Sequence, residues 1–258
     1  MKVAAFQLAA GGETSAARLA AITAHIADAK RAGATLAVFP ELAIPGYGAG
    51  DAIKDAARER GDEQLTALAR LADQSGVAIV AGIALERQGA IINAAALLRP
   101  GEQPAVYAKR QLYGDYEKAL FRAGETPPPI IELGGLKAGL LICFDVEFPE
   151  HVRDLAKRGA DIVLVPTALP RSPAARFIAR NVIPVRAFEN QVFVVYTDWC
   201  GVDARFAYQG LSSIAAPDGS RLAAASESEP AMLLADIDPG AFSASKEQNP
   251  YLDELRAD

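Results

Sequence analysis

Histidine and cysteine are both scarce in this chain of 258 residues, with two of each, and the scarcity removes whole classes of chemistry. Cys143 and Cys200 are too few for a disulfide framework, which makes a reducing cytoplasm the default setting. No spacing of His and Cys resembles a zinc ligand set, so no metal is expected. His25 falls on a helix whose apolar stripe is Leu19, Ile22, Ile26 and Ala29, and His151 falls in the first helical turn after Pro149. Neither is placed as a base, which argues against a histidine-dependent thiol or serine triad. No apolar run approaches the roughly 18 uncharged residues of a spanning helix, and residues 1–7 read as a first strand rather than a signal peptide. A formal charge of −6, a pI near 5.1 and the lack of any Lys/Arg cluster leave nothing to track phosphates, so neither nucleic acid nor membrane is an expected partner. Gly46-Tyr47-Gly48-Ala49-Gly50 misses the dinucleotide spacing, and Asp51 follows where phosphate would be repelled; no cofactor is expected.

What is present is apolar and regularly patterned. Hydrophobic residues make up 51% of the chain and mean hydropathy is +0.11, enough for one well-filled domain over 1–258. Helix-like stretches alternate with short apolar strands: 14–31 then 36–39, 62–74 then 77–83, and 138–142, 149–157 and 162–165 in the second half. That alternation predicts an α/β layered domain. Pro127-Pro128-Pro129 is the sharpest break, and it reads as a rigid turn rather than a domain boundary.

Three ionisable residues stand at the carboxyl ends of strand-like runs, the edge where α/β sheets bind ligands. Thr35-Leu36-Ala37-Val38-Phe39-Pro40 runs into Glu41, Pro104-Ala105-Val106-Tyr107-Ala108 ends on Lys109, and Gly139-Leu140-Leu141-Ile142 ends on Cys143 just before the helix-starting Pro149. Taken singly, an inert core thiol and two strand-capping charges account for them equally well. Jointly they describe a carboxylate base, a cation and a thiol.

These stretches resemble the nitrilase superfamily of carbon-nitrogen hydrolases, in Phe39-Pro40-Glu41 with Gly46-Tyr47, Tyr107-Ala108-Lys109, and Ile142-Cys143-Phe144-Asp145 with Phe148-Pro149-Glu150. Further matches follow in order at Gly159-Ala160-Asp161, Pro166-Thr167-Ala168, Arg186-Ala187-Phe188-Glu189-Asn190, Gly210-Leu211-Ser212-Ser213 and Pro217-Asp218-Gly219. The resemblance implies an α-β-β-α four-layer sandwich and a Glu41, Lys109, Cys143 triad, with Glu117 as a second carboxylate beside it. It sets Phe144, Leu169, Trp199 and Tyr47 about the oxyanion and substrate, and makes Glu189 a buried structural carboxylate. It also implies a homodimer, for which the helix around 176–188 and the tail after Pro239, with Phe242 and Tyr251, are the candidate surfaces. Residues 112–121 and Cys-Phe-Asp look more like small-amide amidases than nitrilases. After Pro166-Thr167-Ala168 the chain departs from many amidases with Leu169-Pro170-Arg171, which makes the acyl side of the pocket more apolar.

The expected activity is therefore hydrolysis of small aliphatic or amino-acid-like primary carboxamides through a cysteine thioester. Nitrile or N-carbamoyl amine hydrolysis is the alternative, and a catalytically silent binding protein the third reading. A glutamate near 4.3 taking a proton from a thiol near 8.5 faces a gap of about four units, or roughly 6 kcal/mol. Lys109 is expected to favour the thiolate, while desolvation and Glu117 raise Glu41. Asp115 is a candidate to meet a substrate amine and Arg171 a substrate carboxylate.

Overall fold

The computed structural model describes residues 1–256. The amino-terminal half builds one sheet from β1 (Lys2–Ala10), β2 (Leu36–Val38), β3 (Ala78–Arg87), β4 (Ala90–Leu98) and β5 (Ala105–Ala108). The second sheet takes β6 (Ile130–Leu133), β7 (Leu136–Leu140), β8 (Ile162–Pro166), β9 (Phe193–Thr197), β11 (Ser213–Ala215) and β12 (Arg221–Ala224). Two later strands return to the first sheet: β10 (Trp199–Gly201) pairs parallel with the end of β1, and β13 (Ala231–Asp236) pairs antiparallel with its beginning. The orders are β10-β1-β2-β3-β4-β5 and β12-β11-β9-β8-β7-β6.

Side-chain alternation along the strands explains the layering. Val3, Ala5, Leu36 and Val38 join Leu140, Ile142, Leu164 and Val195 in one core between the two sheets. The opposite faces of the same strands, Ala4, Phe6, Ala37 and Phe39, pack under helices with Ile22, Ile26, Leu68 and Ala72. Val163, Val165 and Val194 likewise turn outward to Val152, Leu155 and Ile183. Each fully buried Val, Leu or Ile contributes about 1.5–3 kcal/mol of transfer free energy, so strands apolar on both faces commit the chain to a helix-sheet-sheet-helix sandwich.

The outer helices are α1 (Ser15–Arg31), α2 (Ala52–Ser75), α3 (Gly114–Leu120), α4 (Pro149–Lys157), α5 (Pro173–Phe177) and α6 (Ile183–Asn190), followed by α7 (Ser243–Gln248) and α8 (Tyr251–Glu254). Thr14 caps α1 by accepting the Ala17 N–H at 3.2 Å, and Gly76 ends α2 in a left-handed conformation. A π turn at Ile178–Val182 joins α5 to α6. Helix α2 begins ten residues before the sequence pattern suggested, and Gly61 lies inside it, where a Cβ would sit 3.0 Å from the Ala84 carbonyl oxygen. Among the described residues no helix is long and apolar enough to cross a membrane.

Candidate active site

The carboxyl ends of the parallel strands β2, β7, β8 and β9 gather at one edge of the interface between the sheets, and β5 ends beside them. The chain leaves β2 through Phe39 and Pro40 into Glu41, whose N–H donates to the Thr167 carbonyl oxygen at 3.2 Å in the loop after β8. The Trp199 ring N–H donates to the Glu41 carbonyl oxygen at 2.9 Å. Leu42 follows with φ at 49°, and Gly82 of β3 lies so close that a Cβ there would sit 2.1 Å from the Leu42 nitrogen. The carboxylate is thus fixed through its own backbone before its side chain makes a contact.

That side chain is fully buried. Oε1 accepts from Asn93 Nδ2 at 2.6 Å and from Lys109 Nζ at 2.7 Å, whereas Oε2 is buried with no hydrogen-bond partner among the described residues. Burial pushes the Glu41 carboxyl up to about 7; Lys109 pulls against that rise and Glu117 adds to it. Lys109 Nζ also donates to Glu117 Oε1 at 2.6 Å, so one ammonium is held between two carboxylates. Desolvation alone would lower its pKa, but Glu41 and Glu117 outweigh it and hold Lys109 charged. Glu117, on α3, is fixed further by the Tyr47 hydroxyl at 2.9 Å and the Tyr113 N–H at 2.8 Å.

Cys143 lies where β7 has ended and a 3-10 turn, Cys143–Glu147, begins. Its φ is 44°, a left-handed conformation that costs a non-glycine residue on the order of 1–3 kcal/mol and lifts the thiol off the strand. Asp145 locks that elbow: Oδ2 accepts from the Tyr107 hydroxyl at 2.9 Å and the Ile142 N–H at 3.1 Å, and Oδ1 from the Gln111 N–H at 2.8 Å. The sulfur lies in the field of Glu41, Lys109 and Glu117, and the Ala168 backbone favours its ionised form. Lys109 does favour the thiolate, as expected, but burial and Glu41 win, and the Cys143 pKa stands well above that of a free thiol. The resting site therefore holds a neutral thiol in the field of a carboxyl group whose second oxygen has no hydrogen-bond partner among the described residues.

Of the residues expected around the substrate, Phe144 is half-buried and packs edge-on to Tyr113 and Phe148 at ring distances of 5.2 and 5.0 Å. Leu169 is buried, and its N–H donates to Asp198 Oδ1 at 2.9 Å. Tyr47 and Trp199 brace Glu117 and Glu41: the Tyr47 hydroxyl donates to Glu117, and the Trp199 ring N–H to the Glu41 carbonyl oxygen. Trp199 also faces a cavity of about 260 Å³ shared with Arg18 and His25 on the α1 side. Asp115 and Arg171 are exposed. His151 contacts Gln111 Nε2 at 3.2 Å, away from the triad, and His25 stacks near Phe6. Glu189 is half-buried rather than buried; it holds Arg186, whose guanidinium also donates to the carbonyls of Val146 and Glu147, so it steadies the turn from a distance.

Sequence reasoning missed Asn93, Asp145 and Asp198. Asn93 is a lone amide in the apolar run of β4, and Asp198 a lone, fully buried carboxylate after β9. Asp198 Oδ1 accepts from the N–H groups of Leu169 and Trp199, so one oxygen holds both the loop that touches Cys143 and the indole that holds Glu41. Polar residues at buried strand positions are the signal that would have flagged them. No group of three or more metal-ligating residues occurs among the described residues.

A family model described as carbon-nitrogen hydrolase matches residues 2–247. A hydrolase from the pqqF 5' region of Pseudomonas protegens is 41% identical over 229 residues, covering 86% of this chain and 78% of that protein. An (R)-stereoselective amidase from a Pseudomonas species is 31% identical over 260 residues, covering 99% of this chain and 92% of that protein. Among solved structures, an amidase from Nesterenkonia sp. AN1 superposes with a TM-score of 0.89 at 33% identity, covering 99% of this chain and 96% of the other.

Proposed function

The chain belongs to the carbon-nitrogen hydrolase family, and from that premise we propose that it cleaves small aliphatic or amino-acid-like primary carboxamides to carboxylic acid and ammonia through a thioester on Cys143. The observation that carries this reading is the buried Oε2 of Glu41, without a hydrogen-bond partner among the described residues, on a carboxyl pushed up to about 7 whose field reaches the Cys143 thiol. A general base works best with its pKa near the working pH.

Glu41 accepts the Cys143 proton as sulfur bonds to the amide carbon, and the carbonyl oxygen takes up the electron pair. Lys109 and the N–H of Phe144, at the start of its 3-10 turn, stabilise that oxyanion; one such donor is typically worth about 3 kcal/mol of barrier. The C–N bond then breaks as Glu41 returns the proton to nitrogen, releasing ammonia. Water, deprotonated by Glu41, adds to the thioester, and expulsion of sulfur with the proton restores Cys143 and frees the acid. Glu117 keeps Lys109 in place and its charge offset. Variants of the Nesterenkonia amidase carry acrylamide, by Michael addition, or the acetamide moiety of fluoroacetamide at the active-site cysteine, which supports a nucleophilic sulfur at Cys143. The reading includes a homodimer, supported by Phe177 and Val185, 61% and 48% exposed on the helical stretch proposed to pair.

Ammonia release from propanamide and propanenitrile tests the assignment. The amide is expected to react at least about tenfold faster, with an acyl adduct on Cys143 seen by mass spectrometry after rapid quench. Equal rates, or turnover of the nitrile alone, would move the chain to nitrilase chemistry.

A further inference from the structure

Glu147 closes the turn that Cys143 opens, so its carboxylate is carried on the same short piece of backbone as the thiol. The side chain is half-buried, and no donor among the described residues bonds to it. The nearby Arg186 does not pair with it: Nε and Nη2 donate to the carbonyls of Val146 and Glu147 at 2.9 and 2.6 Å, and Nη1 to Glu189 at 3.0 Å. Lys109 and Arg186 both pull the Glu147 carboxyl down, and Cys143 and Glu147 both act on the Tyr196 hydroxyl.

A half-buried carboxylate with no partner is costly to keep, and its surroundings say what would offset the cost. Lys109 pulls the Glu147 carboxyl down without offsetting its burial, and that ammonium is bonded to Glu41 and Glu117. Beside Glu147 stand the half-buried rings of Phe144 and Phe148, edge to face at 5.0 Å, and aromatic rings next to a carboxylate suit an ammonium. Burial pushes the Glu147 carboxyl up to about 7, so an arriving cation would restore its ionised form. Asp115, the acid that the sequence offered for such a role, lies exposed at the start of α3.

Resting on the amidase reading, we propose that Glu147 determines specificity by binding an ammonium on the acyl part of the amide, so that amino-substituted primary amides are preferred over neutral ones of the same size. The test compares 3-aminopropanamide with butanamide, close in size and different in charge, on the full chain and on Glu147→Gln. The intact protein should favour the amino amide by about tenfold in kcat/KM, mainly through KM, as expected of one partly desolvated ion pair. Glu147→Gln should bring that ratio close to one, and Glu147→Asp, which keeps the charge, should retain part of it. Turnover of butanamide with no preference for the amine, or a preference that survives Glu147→Gln, overturns this proposal and leaves the amidase reading standing. Ammonia from neither amide would bring down the amidase reading, and this inference with it.

Discussion

Cys143 and Cys200 are both free, both buried, and burial raises the pKa of both, to about 11 for Cys200. They differ in backbone and in company. Cys200 sits in the extended strand β10, paired in register with Ala9 of β1, and its charged neighbours are the acids Asp198 and Glu229. Cys143 sits at a left-handed elbow and titrates in the field of Glu41 and Lys109, which are bonded to each other at 2.7 Å. Exposure does not separate the two thiols. What separates them is a strained backbone under one sulfur, and a carboxyl and an ammonium whose fields reach it.

Removing each sulfur in turn puts the greatest strain on that comparison. Cys143→Ala should lower amide turnover by on the order of 10⁴-fold or more, because a nucleophile that acts as part of a unit has no substitute. Its thermal unfolding should stay close to that of the parent, since the locked elbow rests on Asp145, Tyr107 and Gln111 rather than on sulfur. Ammonia release and a melting curve check the two halves. Retained turnover would remove Cys143 from the mechanism altogether.

The elements that carry this contrast were legible to different degrees. Glu41, Lys109 and Cys143 stand out because each breaks an apolar run at its end; the first two are bonded to each other, and their fields reach the third. The bonds that hold them in place were not legible. Asn93, Asp145 and Asp198 act across distances of 29 to 52 residues, set by strand register and loop docking that hydrophobic periodicity does not encode. Gly82 was equally silent, since its need for a bare Cα arises only where β3 passes the Glu41 loop. Burial of Glu117 could be read only as an implication of the resemblance, because Asp115-Tyr116-Glu117-Lys118 has the composition of a solvated turn.

Proton uptake sharpens the same comparison at smaller amplitude. Glu41 must be ionised to take the thiol proton, and its carboxyl titrates at about 7 because burial and Glu117 raise it against the pull of Lys109. The kcat/KM for a neutral amide should therefore climb about tenfold per pH unit below that value and level off above it, the limb belonging to the Glu41–Lys109–Glu117 cluster. The stability linkage has the opposite sign. A carboxyl whose folded pKa is raised binds its proton more tightly in the folded state, so its contribution is complete below its unfolded pKa and is lost as pH rises through about 7. Activity and that share of stability should cross within one window. Alkylation followed by peptide mapping reads the contrast directly: with ionised Glu41 taking the thiol proton during attack, Cys143 should begin to react along the limb near 7 despite its raised pKa, and Cys200 only as pH approaches its own value of about 11. A common pH profile for both thiols would erase the distinction drawn between them.

Cys200→Ala should have the smallest effect, and its direction bears on how far the site's support extends. Cys200 follows Trp199, whose ring N–H holds the Glu41 carbonyl oxygen, so the two lie one residue apart on the strand that bonds to the end of β1. Successive side chains of a strand point to opposite faces, and truncating Cys200 therefore leaves the packing of the indole untouched. The strand itself is fixed by backbone pairing of Leu8, Ala9 and Ala10 with Trp199, Cys200 and Gly201, which needs no sulfur. The expected result is a loss of about 1 kcal/mol in urea unfolding, from one buried sulfur and the small void it leaves, with amide turnover within about twofold of the parent. A tenfold fall in turnover at that same small stability cost would mean that β10 transmits its packing to Glu41 through Trp199. Cys200 would then count among the groups that set the position of the base, and the two thiols would differ in distance from the chemistry rather than in kind.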